Sequence, residues 1–281
     1  MSSDRVPTYA LADGTTLPQV GFGTYELTGE DGISAMVSAL EAGYRLLDTA
    51  VNYENEEDVG KALRRSGLPR EEVQVASKIP GRHHGYEDAI ASTEASLERL
   101  GLDYLDLHLI HWPNPSVDRF AEAWRALVDL RERGLVRTIG VSNFTEAHLA
   151  RIIDDSGVTP SVNQLEMHPR FAQVHMRTVH ERLGIRTEAW SPLGKRRAPY
   201  AEPAVTSAAD RLGVTPAQVV LRWHLQLGSL PIPKSADPER QRANLDLFGF
   251  ALTGEEMAAI SGLSRPDGRL FGGDPDTHEE M

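Results

Sequence analysis

The sequence predicts an α/β fold, a single (β/α)8 barrel of the TIM type, on three observations. Short apolar runs alternate with amphipathic segments along almost the whole chain, the pattern of parallel strands separated by helices. The length of 281 residues suits one such barrel, which typically takes about 250. The competing arrangement, an open doubly wound sheet holding a dinucleotide, wants Gly-x-Gly-x-x-Gly at a strand-to-helix turn. The nearest stretch, Gly21-Phe22-Gly23-Thr24-Tyr25-Glu26, lacks the third glycine. No linker, low-complexity run or composition break divides the chain, so residues 1–281 read as one domain.

Ahead of the first barrel strand, residues 9–18 carry Asp13-Gly14 between apolar residues, which predicts a small hairpin closing the barrel floor. Strands are predicted over 20–24, 45–48, 73–78, 105–111, 136–141, 161–166, 185–190 and 230–233. Asp118 is placed to cap a helix with Phe120, Trp124, Leu127, Val128 and Arg131 along one face, and Gly134 to stop it. Thr215-Pro216 reads as an N-cap followed by proline at the first helical position. Thr253 and Glu256 have the spacing of a capping box.

Composition removes several functions. There is no cysteine, so disulfides, thiolate metal sites and a cysteine nucleophile are excluded. The net charge of −12 disfavours nucleic acid and anionic membranes as partners. The opening MSSDRVPTYA has no apolar run after a basic start, so no secretory leader is expected. No stretch approaches 18 apolar residues, so no membrane span is expected either, and the cytoplasm is the expected location.

In a barrel the chemistry gathers at the C-terminal ends of the strands. Asp48 ends the second strand, with Tyr53 five residues on. Lys78 ends the third and His111 the fourth, while Ser142 and Asn143 follow the fifth. Asn163, Gln164 and Glu166 lie on the sixth, and Trp190 and Ser191 end the seventh. His111 shares parity with Leu105, Leu107 and Leu109; His108 faces the other way, so the two make a poor metal pair. His83-His84 is an adjacent pair in a loop, and no metal is expected. Tyrosine, lysine, aspartate and histidine on one rim suit carbonyl reduction. The tyrosine can give a proton to the developing alkoxide, and the lysine can lower its pKa from about 10. The carboxylate can hold the lysine, and the histidine can steer the substrate oxygen. An ordinary ion pair, a helix cap and a rim histidine would use the same residues.

At these positions the chain resembles the aldo-keto reductase family over nearly its whole length. The resemblance rests on Gly43-Tyr44-Arg45-Leu46-Leu47-Asp48-Thr49-Ala50 followed by Tyr53-Glu54-Asn55-Glu56, on Ser77-Lys78, and on Ile110-His111-Trp112-Pro113. It continues through Gly140-Val141-Ser142-Asn143-Phe144, Asn163-Gln164 and Trp190-Ser191-Pro192-Leu193-Gly194. Ile232-Pro233-Lys234-Ser235, Pro238-Glu239-Arg240 and Asn244 close the series. Within the family it resembles the bacterial branch of diketogluconate and methylglyoxal reductases.

The resemblance implies an NADP(H)-dependent oxidoreductase. Tyr53 would be the general acid, tuned by Lys78 and Asp48, and His111 would orient the carbonyl. Ser142, Asn143 and Gln164 would hold the nicotinamide carboxamide and Trp190 would stack on its ring. Gly23, Thr24, Tyr25, Asp48, Ser191, Leu193 and Gly194 would complete the cofactor site. Lys234, Ser235 and Arg240 would grip the adenosine 2′-phosphate and Asn244 the adenine. Ala243 stands where many relatives carry a glutamate, so one adenine contact is expected to be missing.

Tyr25, Tyr53, His111 and Trp112 are the expected substrate contacts, with Phe22 and Glu54 as further candidates. The C-terminal tail beyond Gly262 is short and polar and predicts an open pocket without a deep lid. Lys195-Arg196-Arg197 could meet a cofactor phosphate or an acidic substrate. The expected partner is a small carbonyl compound, and the expected state a monomer. Two alternatives remain: a non-catalytic NADPH-binding or redox-sensing protein, and a glycoside hydrolase using Asp48 and Glu166.

Overall fold

The computed structural model describes residues 6–281; the opening stretch read above for a leader lies partly outside them. The predicted hairpin is present. Strand β1 (Thr8–Ala10) pairs antiparallel with β2 (Thr16–Pro18), Thr8 opposite Pro18. Its turn takes Gly14 to a φ of 87°, which a residue with a side chain resists. Asp13 Oδ1 locks the turn by accepting from Thr15 N at 2.9 Å and Thr15 Oγ1 at 2.6 Å.

Eight parallel strands follow: β3 (Phe22–Gly23), β4 (Leu46–Asp48), β5 (Gln74–Ile79), β6 (Leu105–Ile110), β7 (Val136–Ser142), β8 (Val162–Glu166), β9 (Arg186–Trp190) and β10 (Leu230–Pro231). They form one curled sheet in sequence order. Helices α1 (Gly29–Ala42), α2 (Glu56–Ser66), α3 (Tyr86–Leu100), α4 (Phe120–Glu132), α5 (Glu146–Ser156), α6 (Val174–Leu183), α7 (Pro203–Leu212) and α8 (Pro216–Gln226) lie between and after them. Helices α9 (Pro238–Leu245) and α10 (Gly254–Ser261) follow β10. The hairpin is tied to two strand starts: Ser161 Oγ, just before β8, donates to Asp13 Oδ2 at 2.7 Å, and Thr15 Oγ1 lies 2.8 Å from Thr138 Oγ1 of β7.

The first and last strands are shorter than the 20–24 and 230–233 predicted. Gly21 N donates to Pro231 O and Gly23 N to Pro233 O, each at 3.1 Å. The two prolines have no N–H to give back, so the ladder between these segments is one-sided.

The caps at Thr215 and Thr253 form as the spacing predicts, each a reciprocal box with Gln218 and Glu256. Asp118 does not cap α4. It sits at a φ of 52° and turns its carboxylate to Arg151, while the first turn of α4 hangs on the carbonyl of Arg119.

Strand alternation divides the apolar residues between two layers. Leu46, Ala76, Leu107, Leu109, Val162, Leu230 and Ile232 face inward over Leu11 and Leu17 of the hairpin segment. Leu47, Val75, Ile110, Ile139 and Val141 face outward beneath the helices, against Met36, Trp124 and Leu127. Each fully buried leucine contributes about 1.5–3 kcal/mol over its exposed state. The next inward positions above this apolar floor are Asp48, Lys78, Gln164 and Glu188, a polar layer near the strand ends.

Candidate active site

The polar layer is built around one ion pair. Lys78 is fully buried on β5, and its Nζ donates to Asp48 Oδ1 at 2.6 Å and to Thr49 O at 2.9 Å. A buried charge of this kind persists only with partners. Burial alone would lower the ammonium's pKa, but the Asp48 and Tyr53 groups raise it, so the lysine stays charged. The other Asp48 oxygen, Oδ2, accepts from Gln164 Nε2 at 2.9 Å. The same Nε2 donates to Glu188 Oε2 at 3.1 Å. Glu188 is pushed up to about 8 by burial and by the charge of Asp48.

Tyr53 ends a single 3-10 turn, Val51–Tyr53, directly after β4. That turn brings its hydroxyl 3.5 Å from Lys78 Nζ. The expected lowering of the phenol is not what results. Burial of the hydroxyl outweighs Lys78, and Tyr53 is pushed up to about 12. The phenol therefore keeps its proton at neutral pH, the form a proton donor needs.

His111 follows β6, its ring centroid 5.8 Å from that of Tyr53. His108, on the opposite parity, turns outward to Ser77 O and Thr93 Oγ1. Among the described residues no cluster of three or more His, Asp or Glu side chains could hold a metal ion.

A cavity of about 790 Å³ opens above this layer. It brings together most of the predicted site: Gly23, Thr24, Tyr25, Asp48, Tyr53, His111, Trp112, Asn143, Gln164, Trp190, Ser191, Leu193 and Lys234. Thr24 Oγ1 donates to Asp48 O at 2.9 Å, and Trp190 Nε1 to Asn143 Oδ1 at 2.9 Å. Asn143 takes a φ of 62° and spends its amide on His111 O and Ser142 Oγ.

Ser142, Gly194, Ser235, Arg240 and Asn244 do not line the cavity. Ser142 Oγ donates to Gln164 O at 2.9 Å, and Gly194 is a turn residue at a φ of 77°. Ser235 lies just ahead of α9, and Arg240 and Asn244 stand on that helix, one turn apart. Lys234, at the cavity edge, pairs with Glu26 at 3.2 Å. Phe22 is buried beneath Tyr44, away from the cavity lining, and Glu54 is likewise absent from it.

The family model for the aldo/keto reductase family matches residues 19–265. The chain belongs to the aldo/keto reductase family. Among curated relatives, 2,5-diketo-D-gluconic acid reductase B of Corynebacterium sp. (strain SHS752001) is 60% identical over 277 residues, 99% of each chain. Among solved structures, a point mutant of Gox0644 in complex with NADPH is 43% identical, with a TM-score of 0.92 over 97% of this chain and 98% of that one. A Bombyx mori aldo-keto reductase in complex with NADP is 35% identical, with a TM-score of 0.87 over 93% and 94% of the two chains.

Against the expectation of an open pocket, the tail of this aldo/keto reductase crosses the cavity mouth, where Phe271, His278 and Glu280 join the lining. Its attachment does not depend on apolar bulk. Leu270 N donates to Glu166 Oε1 at 2.7 Å, and Arg197 Nη1 donates to the carbonyls of Asp267 and Arg269. The Phe271 ring stacks on Trp190 at 5.4 Å and 10°. Glu166 thus anchors the tail and also accepts from His168, and Arg197 is occupied by the tail. Lys195 alone of its basic cluster lines the cavity, its Nζ 5.1 Å from the Tyr25 ring centroid. Glu188 and Glu280 gave no sequence signal: one is a polar residue inside a strand, the other lies in a tail without periodicity.

Proposed function

We propose that this protein is an NADPH-dependent carbonyl reductase that converts aldehydes, ketones or dicarbonyls to alcohols. The observation that carries the reading is the buried Lys78–Asp48 pair with the Tyr53 hydroxyl 3.5 Å from the lysine, at the base of a ligand-sized cavity. NADPH, when bound, supplies the hydride. Tyr53 gives the proton to the developing alkoxide, and His111 donates to the same oxygen. Lys78, held charged by Asp48, stabilises the tyrosinate left behind.

The cavity suits the cofactor's head group. Both hydrogens on Gln164 Nε2 are committed to Asp48 and Glu188, which leaves Oε1 as the acceptor for a carboxamide. Trp190 already stacks one flat ring. Lys234, Ser235 and Arg240 would take the 2′-phosphate, and Asn244 the adenine; two charge-assisted contacts contribute about 1.5–3 kcal/mol each. Lys234 would exchange Glu26 for the phosphate.

We read the chain as one domain and the sheet as a closed barrel, supported by the Gly21–Pro231 and Gly23–Pro233 bonds between its first and last strand segments. We further propose a monomer acting in the cytoplasm. No helix of the described residues is long and apolar enough to cross a membrane. Tyr25 and Phe271, two of its few exposed large apolar side chains, border the cavity rather than a separate apolar face.

The test is NADPH oxidation followed at 340 nm against aldehydes, dicarbonyls and keto-sugars, with 2,5-diketogluconate included because a relative bears its name. Substrate-dependent oxidation supports a reductase. NADPH binding by tryptophan quenching without any oxidation would favour a cofactor sensor, and absence of both would refute the reading.

A further inference from the structure

The last residues of the chain enter the catalytic constellation. Glu280 Oε1 lies 3.0 Å from His111 Nδ1. The contact is close but not aligned as a hydrogen bond, and Nδ1 is otherwise unpartnered among the described residues. His111's backbone is fixed by its N–H to Ile79 O at 3.0 Å and by Asn143 Nδ2 on its carbonyl at 3.1 Å. Rotation of the imidazole is therefore the remaining freedom, and Glu280 is the carboxylate that stands beside it. With Nδ1 turned to the tail, Nε2 is the nitrogen left for the cavity.

The tail is held where this contact requires it. Glu280 O accepts from Gly81 N at 3.2 Å and from Asn114 Nδ2 at 2.6 Å. A side chain at position 81 would put its Cβ 2.4 Å from Glu280 O, so only glycine allows the approach. Asn52 Nδ2 donates to Met281 O at 3.2 Å, and the His278 ring packs 4.2 Å from Trp112. These anchors come from the loops after β4, β5 and β6, which also present Tyr53 and His111. Burial would push the Glu280 carboxyl up, yet the His111 imidazole beside it holds it below the ordinary value.

We propose that Glu280 is a positioning residue of the active site: its carboxylate accepts from His111 Nδ1 and aims Nε2 at the substrate carbonyl. A carboxylate behind a catalytic imidazole fixes its orientation and stabilises the doubly protonated ring. That ring is the form in which Nε2–H can donate while Nδ1–H is given to Glu280. The tail thus completes the site and does more than cover it. The proposal rests on His111 acting on the carbonyl, as in the preceding section.

The experiment compares Glu280→Ala and Glu280→Gln with wild type, using NADPH and the best carbonyl substrate. Glu280→Ala is expected to lower kcat/KM at least about tenfold, the size of one charge-assisted hydrogen bond. NADPH binding by tryptophan quenching and the thermal midpoint should stay unchanged. Added acetate should restore part of the loss, which a purely structural role would not allow. Glu280→Gln, which keeps an acceptor but no charge, should fall between. Independently of turnover, a ¹⁵N–¹H spectrum of the imidazoles should show a His111 Nδ1–H signal, assigned by its absence from His111→Gln, that disappears in Glu280→Ala. Wild-type inactivity with that signal present would sink the reductase reading and leave the contact standing. Unchanged kcat/KM would overturn the proposal. So would increased kcat/KM, because the carboxylate would then be an obstruction.

Discussion

Replacing Glu188 with glutamine should stabilise the protein, and increasingly so as the pH rises. The carboxyl is fully buried on β9, and burial together with the Asp48 charge pushes it from 4.5 to about 8. The sign follows from proton binding. Between those two values the unfolded chain releases this proton and the folded chain keeps it. Folding of the wild type is therefore penalised by about 1.4 kcal/mol for each pH unit in that window. At about pH 5.5 the penalty is roughly 1 kcal/mol, at about pH 7 roughly 3 kcal/mol, and above about pH 8 it levels off. Glutamine cannot ionise, but its carbonyl can still accept from Gln164 Nε2, so the packing of the layer survives. Urea unfolding of both proteins at four pH values from about 5.5 to 8.5 measures the difference directly. A gap that widens with pH and then flattens is the expected result. Parallel stability curves would refute the reasoning. They would mean that the carboxyl is ionised in the folded protein throughout, with Lys78 outweighing the burial penalty.

Three further perturbations separate the roles within the site. Tyr53→Phe should lower turnover by about 10²–10⁴, the usual loss for a positioned acid, with NADPH affinity nearly unchanged; retained turnover would remove Tyr53 from that role. Lys78→Met should lower stability by about 3–5 kcal/mol in urea unfolding, since it strands Asp48 without its cation; a smaller loss would show that water reaches the carboxylate. Arg240→Ala should weaken NADPH about tenfold or more while leaving NADH nearly unaffected, as read by fluorescence titration with each cofactor. Equal losses for both would place Arg240 away from the 2′-phosphate.

Much of this architecture was legible because strand parity is a strict rule. Leu46 faces inward, so Asp48 must as well; Ala76 carries Lys78 inward, and Leu107 and Leu109 carry His111. The same parity sent His108 outward to Thr93, as the sequence predicts. Helix starts were legible where a side chain caps its own backbone, as at Thr215 and Thr253. Asp118 misled because cap chemistry also requires an extended backbone, and Asp118 is left-handed with its carboxylate turned to Arg151.

The tail departs from expectation for a different physical reason. Its few apolar residues suggested an open pocket without a deep lid. That inference treats burial of apolar area as the only means of attachment. Here the attachment runs through backbone groups: Leu270 N to Glu166, Ser116 N to Glu279, and Gly81 N and Asn114 Nδ2 to Glu280 O. Each of these has one partner in the main chain, and the tail's apolar pattern does not register such bonds. For Tyr53 the expected lowering by Lys78 is present but outweighed by burial. The neighbouring lysine is visible in the sequence, whereas the depth of the hydroxyl is a property of the assembled layer, and depth wins. In the proposed reduction a phenol pushed up to about 12 is fully protonated at working pH but a reluctant donor, so Lys78, held charged by Asp48, would contribute chiefly by stabilising the tyrosinate as the proton leaves.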